Sequence, residues 1–247
     1  MANIKQNEKI TMTAGLQGFL GALTAISLIF ILLITSFEIG AYSDFGFYEK
    51  EYEKYKVADQ LYMEMDDIME VTKYMMSYLK GNEETLSIET TVEGNRQDFF
   101  NEQDRLHMED VQGLFLGGIF LRRVAVFLLI FAVMGIILMK GDCKKILPRM
   151  YERVLAAFIV VIVVLGLLIS KNFTKCFMIF HELFFDNDLW IFDPETDYMI
   201  RMLPEGFFFD MVIRIGLIFV GLLLITLIIA VIVQKTDKKI SNTYKTV

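Results

Sequence analysis

Residues 12–37 run for about 26 positions without a charged side chain, more than the ~20 that carry a helix across the hydrocarbon core of a bilayer. Three further apolar runs follow, at residues 124–139, 154–170 and 215–234. The second and third are short if read strictly. The stems of Arg122, Arg123, Arg153 and Lys171 reach back to the headgroups and lengthen them. In hydrocarbon every backbone polar group must be bonded within its own segment, so each run is read as a helix. The first run is too long for the apolar core of a secretion signal. No small-x-small cleavage site precedes the acidic stretch at 38–44, and no cysteine is near enough to form a lipobox. It is read as a retained helix.

Composition narrows the class. The chain has 247 residues, 55% of them hydrophobic, with only three prolines. This excludes a disordered or collagen-like chain and disfavours an ordinary cytosolic enzyme. A net charge of -7 argues against a nucleic-acid partner, which would need a basic face. Two cysteines cannot build a disulfide scaffold. Two histidines are too few for a typical zinc site unless carboxylates complete it, and no HxxxH or HExxH spacing is present. No metal and no cofactor is expected.

Charge placement sets the sidedness. Lys5 and Lys9 precede the first run. Lys140, Lys144, Lys145, Arg149 and Arg153 lie between the second and third, and Lys235, Lys238, Lys239 and Lys245 follow the fourth. These segments hold only Glu8, Asp142, Glu152 and Asp237 as acids. The positive-inside rule makes that side cytoplasmic. The expected organisation is a cytoplasmic tail (1–11), transmembrane helix one (12–37), an extracytoplasmic segment (38–113), helix two (114–139), a cytoplasmic loop (140–153), helix three (154–171), a second extracytoplasmic segment (172–210), helix four (211–234) and a cytoplasmic tail (235–247). The fold class is thus an all-α membrane protein, a bundle of four transmembrane helices with an outer cap of helices. A candidate short β element lies at residues 85–92, TLSIETTV, where β-branched residues alternate.

The first outer segment predicts one helix over residues 48–80, because Tyr52, Tyr55, Leu61, Tyr62, Met65, Ile68, Met69, Met75, Met76 and Leu79 recur at three and four. Gly81-Asn82 ends it. This face either packs on neighbouring protein or touches lipid tails. Asp98 to Glu102 reads as the start of the next helix. The second outer segment is dense in aromatics, which favour the membrane interface. Pro194 and Pro204 deny it one continuous helix, and Asp193 to Asp197 reads as a turn.

Both histidines fall at one membrane boundary in this layout. His107 lies just before the second span and His181 just after the third. Imidazole titrates near neutrality and suits proton transfer. Asp110, three residues after His107, shares its helix face and is a candidate to fix its tautomer. Phe180, Phe184 and Phe185 would wall His181 in low dielectric. The plain alternative is that each histidine is a satisfied structural residue. Cys176 is read as a packing residue and no serine sits in a GxSxG elbow. Arg122, Arg123 and Arg214 touch the spans, where snorkelling competes with a clamp on headgroup oxygens, and Arg201 could clamp likewise. No acidic or histidine relay crosses the bilayer centre, which argues against an ion-coupled transporter.

Two stretches carry a resemblance. Residues 102–111, EQDRLHMEDV, and residues 180–208, FHELFFDNDLWIFDPETDYMIRMLPEGFF, resemble the lipoprotein intramolecular transacylase (Lit) family of Gram-positive bacteria. The resemblance implies an acyltransferase that moves the sn-2 acyl chain of a diacylglyceryl lipoprotein to the α-amine of its N-terminal cysteine, giving the lyso-form. It implies no coenzyme, a site at the outer leaflet, and the lipoprotein and membrane lipid as partners; separately, the chain is expected to act as a monomer. His107 and His181 are then the candidate catalytic pair. Asp110, Asn187 and Asp188 are candidate orienters, and Arg122, Arg123 and Arg201 candidate headgroup contacts. The rival readings are a non-enzymatic four-span protein that binds a partner or senses the envelope, and a lipid hydrolase using the same site with water.

Overall fold

The computed structural model describes the backbone of residues 2–245 and the side chains of residues 11–238. Lys5, Glu8, Lys9, Lys239 and Lys245 lie outside the described side chains. In chain order the elements are α1 (Ala2–Tyr42), α2 (Gly46–Lys54), α3 (Val57–Leu61), α4 (Met65–Leu79), β1 (Glu89–Val92), β2 (Asn95–Asp98), α5 (Glu102–Leu138), α6 (Cys143–Lys171), α7 (Phe173–Phe184), α8 (Tyr198–Met202) and α9 (Glu205–Lys245). Among the described residues α1, α5, α6 and α9 are long and apolar enough to cross a membrane. Phe127, Phe131, Val160, Leu165, Leu217 and Ile228 on these helices are all more than half exposed, a surface that needs lipid rather than water around it. The protein is an integral membrane protein.

The chain divides into two compact units. The first comprises Met1–Ser36, Leu121–Leu167 and Leu217–Val247. Its contacts depend on small residues, as expected where apolar surface alone drives no association. A Cβ on Gly21 would come within 2.8 Å of Ile146 Cγ2 and Met150 Cγ, and one on Gly135 within 2.9 Å of Leu20 Cδ1. Polar side chains are satisfied on the spot. Thr24 bonds the Leu20 carbonyl at 2.9 Å, Tyr151 donates to the Leu223 carbonyl at 3.0 Å, and Gln234 donates to Glu152 at 2.7 Å. The end of α5 closes with Lys140 in the left-handed region and Gly141 N–H on the Ile136 carbonyl at 2.8 Å, which satisfies the last carbonyls.

The second unit comprises Phe37–Phe120 and Leu168–Gly216. Its core gathers Tyr52, Leu61, Ile68, Val71, Val92, Phe99, Phe100 and Met202, all essentially inaccessible. The single helix expected over residues 48–80 is instead three. Lys56 and Tyr62 adopt positive φ of 53° and 50°, breaking it between α2, α3 and α4. The apolar face of α4 (Ile68, Met69, Thr72, Met75, Met76, Leu79) is buried in protein, so packing, and not contact with lipid tails, accounts for its pattern. Inside that core the Tyr52 and Thr72 hydroxyls share a hydrogen bond of 2.8 Å. Gly81, with φ +77°, closes α4: its N–H bonds the Tyr78 carbonyl at 2.7 Å and Asn82 N–H bonds Ser77 at 3.2 Å.

The β element is a hairpin of β1 and β2, pairing Glu89 with Asp98 and Val92 with Asn95. Glu93 and Gly94 both have positive φ, the two-residue turn whose twist matches paired strands. Only the first of these strands is legible in β-branched residues. Arg105 ties the hairpin to α5, donating to Asp98 at 2.9 Å and to the Phe100 and Leu86 carbonyls.

Candidate active site

The start of α5 is built as a reciprocal cap. Asn101 Oδ1 accepts the Asp104 N–H at 2.9 Å, and Asp104 Oδ2 accepts the Asn101 N–H at 3.0 Å, so two free helix-end donors are satisfied. The Asn101 side-chain amide donates in turn to Asp197, whose other oxygen accepts the Asp193 N–H at 2.7 Å. Asp197 and Asp104 are both buried. They anchor the first turn of α5 to the loop after α7. Gln103 adds two bonds to that loop, to the Leu189 and Ile191 carbonyls at 3.1 and 2.9 Å.

One turn further along α5 stands His107. The last turn of α7 presents His181. Their ring centroids are 6.0 Å apart with 26° between the planes, and both residues are less than a tenth exposed. Phe185 touches both rings, at 5.1 Å from His107 and 5.5 Å from His181. Phe192 lies 5.3 Å from His107, Trp190 5.0 Å and Phe177 4.4 Å from His181. Phe180 also contacts His181, at 5.5 Å, whereas Phe184 packs at a tilt against Phe180. Aromatic residues expected to mark the membrane interface thus form much of the wall of a two-imidazole chamber.

The two rings differ in their bonding. His181 Nδ1 lies 2.7 Å from the Phe177 carbonyl. A carbonyl only accepts, so Nδ1 carries the proton and Nε2 the lone pair. Burial holds the His181 imidazole below the ordinary histidine range, with the Phe177 bond acting the other way. His107 Nδ1 is buried and has no hydrogen-bond partner among the described residues.

The expected orienters sort into two groups. Asp110 does not hold the His107 ring; its carboxylate accepts from Asn187 at 2.9 Å, joining α5 to the loop after α7 three residues from the histidine. Asp188 is exposed, and its carbonyl accepts the Ile191 N–H in the same loop. Arg201 is engaged elsewhere: it donates to Glu93 at 2.8 Å and to the Gln60 carbonyl at 3.2 Å and lies over the Tyr198 ring. Arg122 and Arg123 belong to the first unit, not to the one that holds both histidines. Arg214 pairs with Asp44 and lies over Phe47. Among the described residues no group of three or more histidine, cysteine or carboxylate side chains could hold a metal ion. The sequence reading missed Asp104 and Asp197; a capping pattern of Asn101 followed three residues later by an acid was the available sign of the first, and nothing local marked the second.

A family model described as lipoprotein intramolecular transacylase Lit matches residues 22–208, which include both histidines and most of the chain. The chain belongs to the Lit family. It is an acyltransferase of lipoprotein modification. Among curated proteins none matches. Solved structures of the membrane-integral lipoprotein intramolecular transacylase Lit from Bacillus cereus share its fold: one has a TM-score of 0.76 at 21% identity, covering 92% of this chain and 99% of that one. A variant of the same Bacillus cereus Lit with a histidine replaced by alanine gives 0.76 at 21% identity over 94% and 99%, and one with a histidine replaced by arginine gives 0.75 at 21% over 95% and 99%.

Proposed function

We propose that this Lit protein moves the sn-2 acyl chain of a diacylglyceryl lipoprotein to the α-amine of the lipoprotein's N-terminal cysteine, with His107 and His181 acting on one reacting centre. The observation that carries this reading is the pair of buried imidazoles 6.0 Å apart within aromatic walls. Nucleophile and ester belong to one substrate molecule, so holding its head group folded supplies much of the rate through proximity.

His181 is the base. Its Nε2 lone pair takes a proton from the amine as nitrogen attacks the sn-2 carbonyl carbon. His107 donates a hydrogen bond to the carbonyl oxygen as negative charge gathers there. When the adduct collapses, the bond from carbon to the sn-2 glycerol oxygen breaks and His181 returns its proton to that oxygen. The products are an amide and a monoacylglyceryl alcohol, with both imidazoles restored. Ester-to-amide transfer runs downhill, so the step needs no nucleotide. The chamber's low exposure favours transfer to the amine over hydrolysis, because water is kept from the adduct. Asp110 and Asn187 act as positioning residues through the bond that sets α5 against the loop after α7.

Charge placement supports an orientation with both termini in the cytoplasm and the histidines at the outer leaflet, and the protein acts as a monomer. The test is replacement of each histidine by alanine in the full chain, with mass spectrometry of lipoprotein N-terminal peptides. Loss of the N-acyl, monoacylglyceryl product is expected from each; normal product from both variants overturns the assignment.

A further inference from the structure

A second polar feature lies in the first unit, where Ala14, Gln17 and Gly18 of α1 face Lys145, Arg149 and Arg153 of α6 across a groove of about 230 Å³. The three cations are four residues apart and so occupy one helix face. Lys145 is compensated, at 2.7 Å from Asp142 and 3.8 Å from Asp237. Arg149 and Arg153 are exposed and, among the described residues, make no ion pair. The α1 wall is nearly bare: a Cβ on Gly18 would meet nothing within 4 Å. Ile146 and Met150 complete the lining with apolar surface.

We propose that this groove binds the headgroup of an anionic glycerophospholipid. Guanidinium forks match a phosphodiester oxygen pair, and two of them stand here uncompensated beside a space with no side chain in it. The apolar lining separates a lipid from free phosphate, since only the lipid has ester and acyl groups to place against Ile146 and Met150. Along α6 the same face continues through Ala157, Val160 and Val164, all exposed and apolar. This is a track for an acyl chain below a headgroup held by Arg153. Arg153 is also the last charge before the apolar run at 154–170, the depth at which headgroup gives way to chain. Which leaflet this is follows from the proposed orientation; the headgroup chemistry does not depend on it.

The test uses the full chain purified in dodecyl maltoside, mixed with equal phosphatidylglycerol and phosphatidylcholine, with retained lipid counted by native mass spectrometry. Preferential retention of phosphatidylglycerol is expected. The Arg149→Gln/Arg153→Gln double variant should lose that preference by about 25-fold, roughly fivefold per cation at a membrane surface. Gly18→Leu, which fills the groove without altering charge, should also lose it. Equal retention of both lipids by the native chain overturns the proposal, as does a Gly18→Leu variant that keeps the full preference, which would assign the effect to surface charge alone. Displacement of phosphatidylglycerol by millimolar inorganic phosphate would assign the site to free phosphate and overturn the lipid. Transacylation by the same variants is followed in parallel, so that failure here is separable from failure of the histidine mechanism.

Discussion

Asp110 and Asn187, 77 positions apart, are joined at 2.9 Å by a bond from the asparagine amide to the carboxylate. This couples the helix that carries His107 to the loop that follows His181. The placement of the two proposed catalytic imidazoles is thus braced by a contact outside their aromatic surroundings.

Breaking that contact should affect turnover more than folding. Asn187 is exposed, so Asp110→Ala or Asn187→Ala should cost at most about 1 kcal/mol of stability. Each should lower kcat severalfold with KM little changed. A double-mutant cycle on kcat checks it: the two losses should fail to add, because both remove one interaction.

Replacing His181 or His107 by alanine should lower transacylation by about 10²–10⁴-fold, the range for loss of a positioned acid or base. Both variants should remain folded, as measured by circular dichroism and melting in detergent. Unequal losses are expected, the larger at His181.

The pH dependence follows from the depressed His181 value. The ring stays neutral below the ordinary histidine range, so its lone pair is available throughout neutral pH. The substrate amine, near 7.7–8.0, is then the group that limits attack, and kcat/KM should rise with pH through that region with no separate break near 6.5. For stability the sign is the reverse of a gained ion pair. The unfolded chain protonates this histidine at about 6.5 while the folded chain resists, so stability is present above about 6.5 and is lost as pH falls towards the folded value. Melting temperature against pH checks the second statement, and single-turnover rates the first.

Asp197→Ala should cost about 1–3 kcal/mol, because the Asp193 N–H and the Asn101 amide both lose a buried acceptor. It should also lower activity, since the loop bearing Phe192 loses one of its ties to the start of α5 and keeps only those from Gln103. Asp197→Asn should restore part of both. Thermal melting alongside the peptide assay separates the two effects.

Much of this fold is written in runs and patterns. Four apolar stretches force helices because hydrocarbon offers the backbone no other partner. Two histidines flanking spans were visible as candidates by position alone. The break of the predicted 48–80 helix at Lys56 and Tyr62 was not visible: neither is glycine or proline, and burial of Tyr52, Val57 and Leu61 in one core overrides local preference. The second strand, Asn-Arg-Gln-Asp at 95–98, has no β-forming residue and exists because Glu93-Gly94 turns the chain back. The bond from Asn101 to Asp197 and the capture of Arg201 by Glu93 join residues roughly one hundred positions apart, so periodicity carries no trace of them, whereas the Asn101–Asp104 cap is local.

The short helix α7 has one buried residue, and it is His181; Ile179, Leu183 and Phe184 around it point outwards. On the protein side α7 docks through Phe173 on Phe209, Phe177 on Phe208 and a hydrogen bond of 2.6 Å from Thr174 to Glu205, while its outward residues are left to lipid. Its seat therefore depends on the surrounding lipid as well as on those contacts. Stripping annular lipid with harsh detergent should therefore unseat the proposed base while the four long helices remain intact, and an assay in depleted micelles would read a dead enzyme from a folded one.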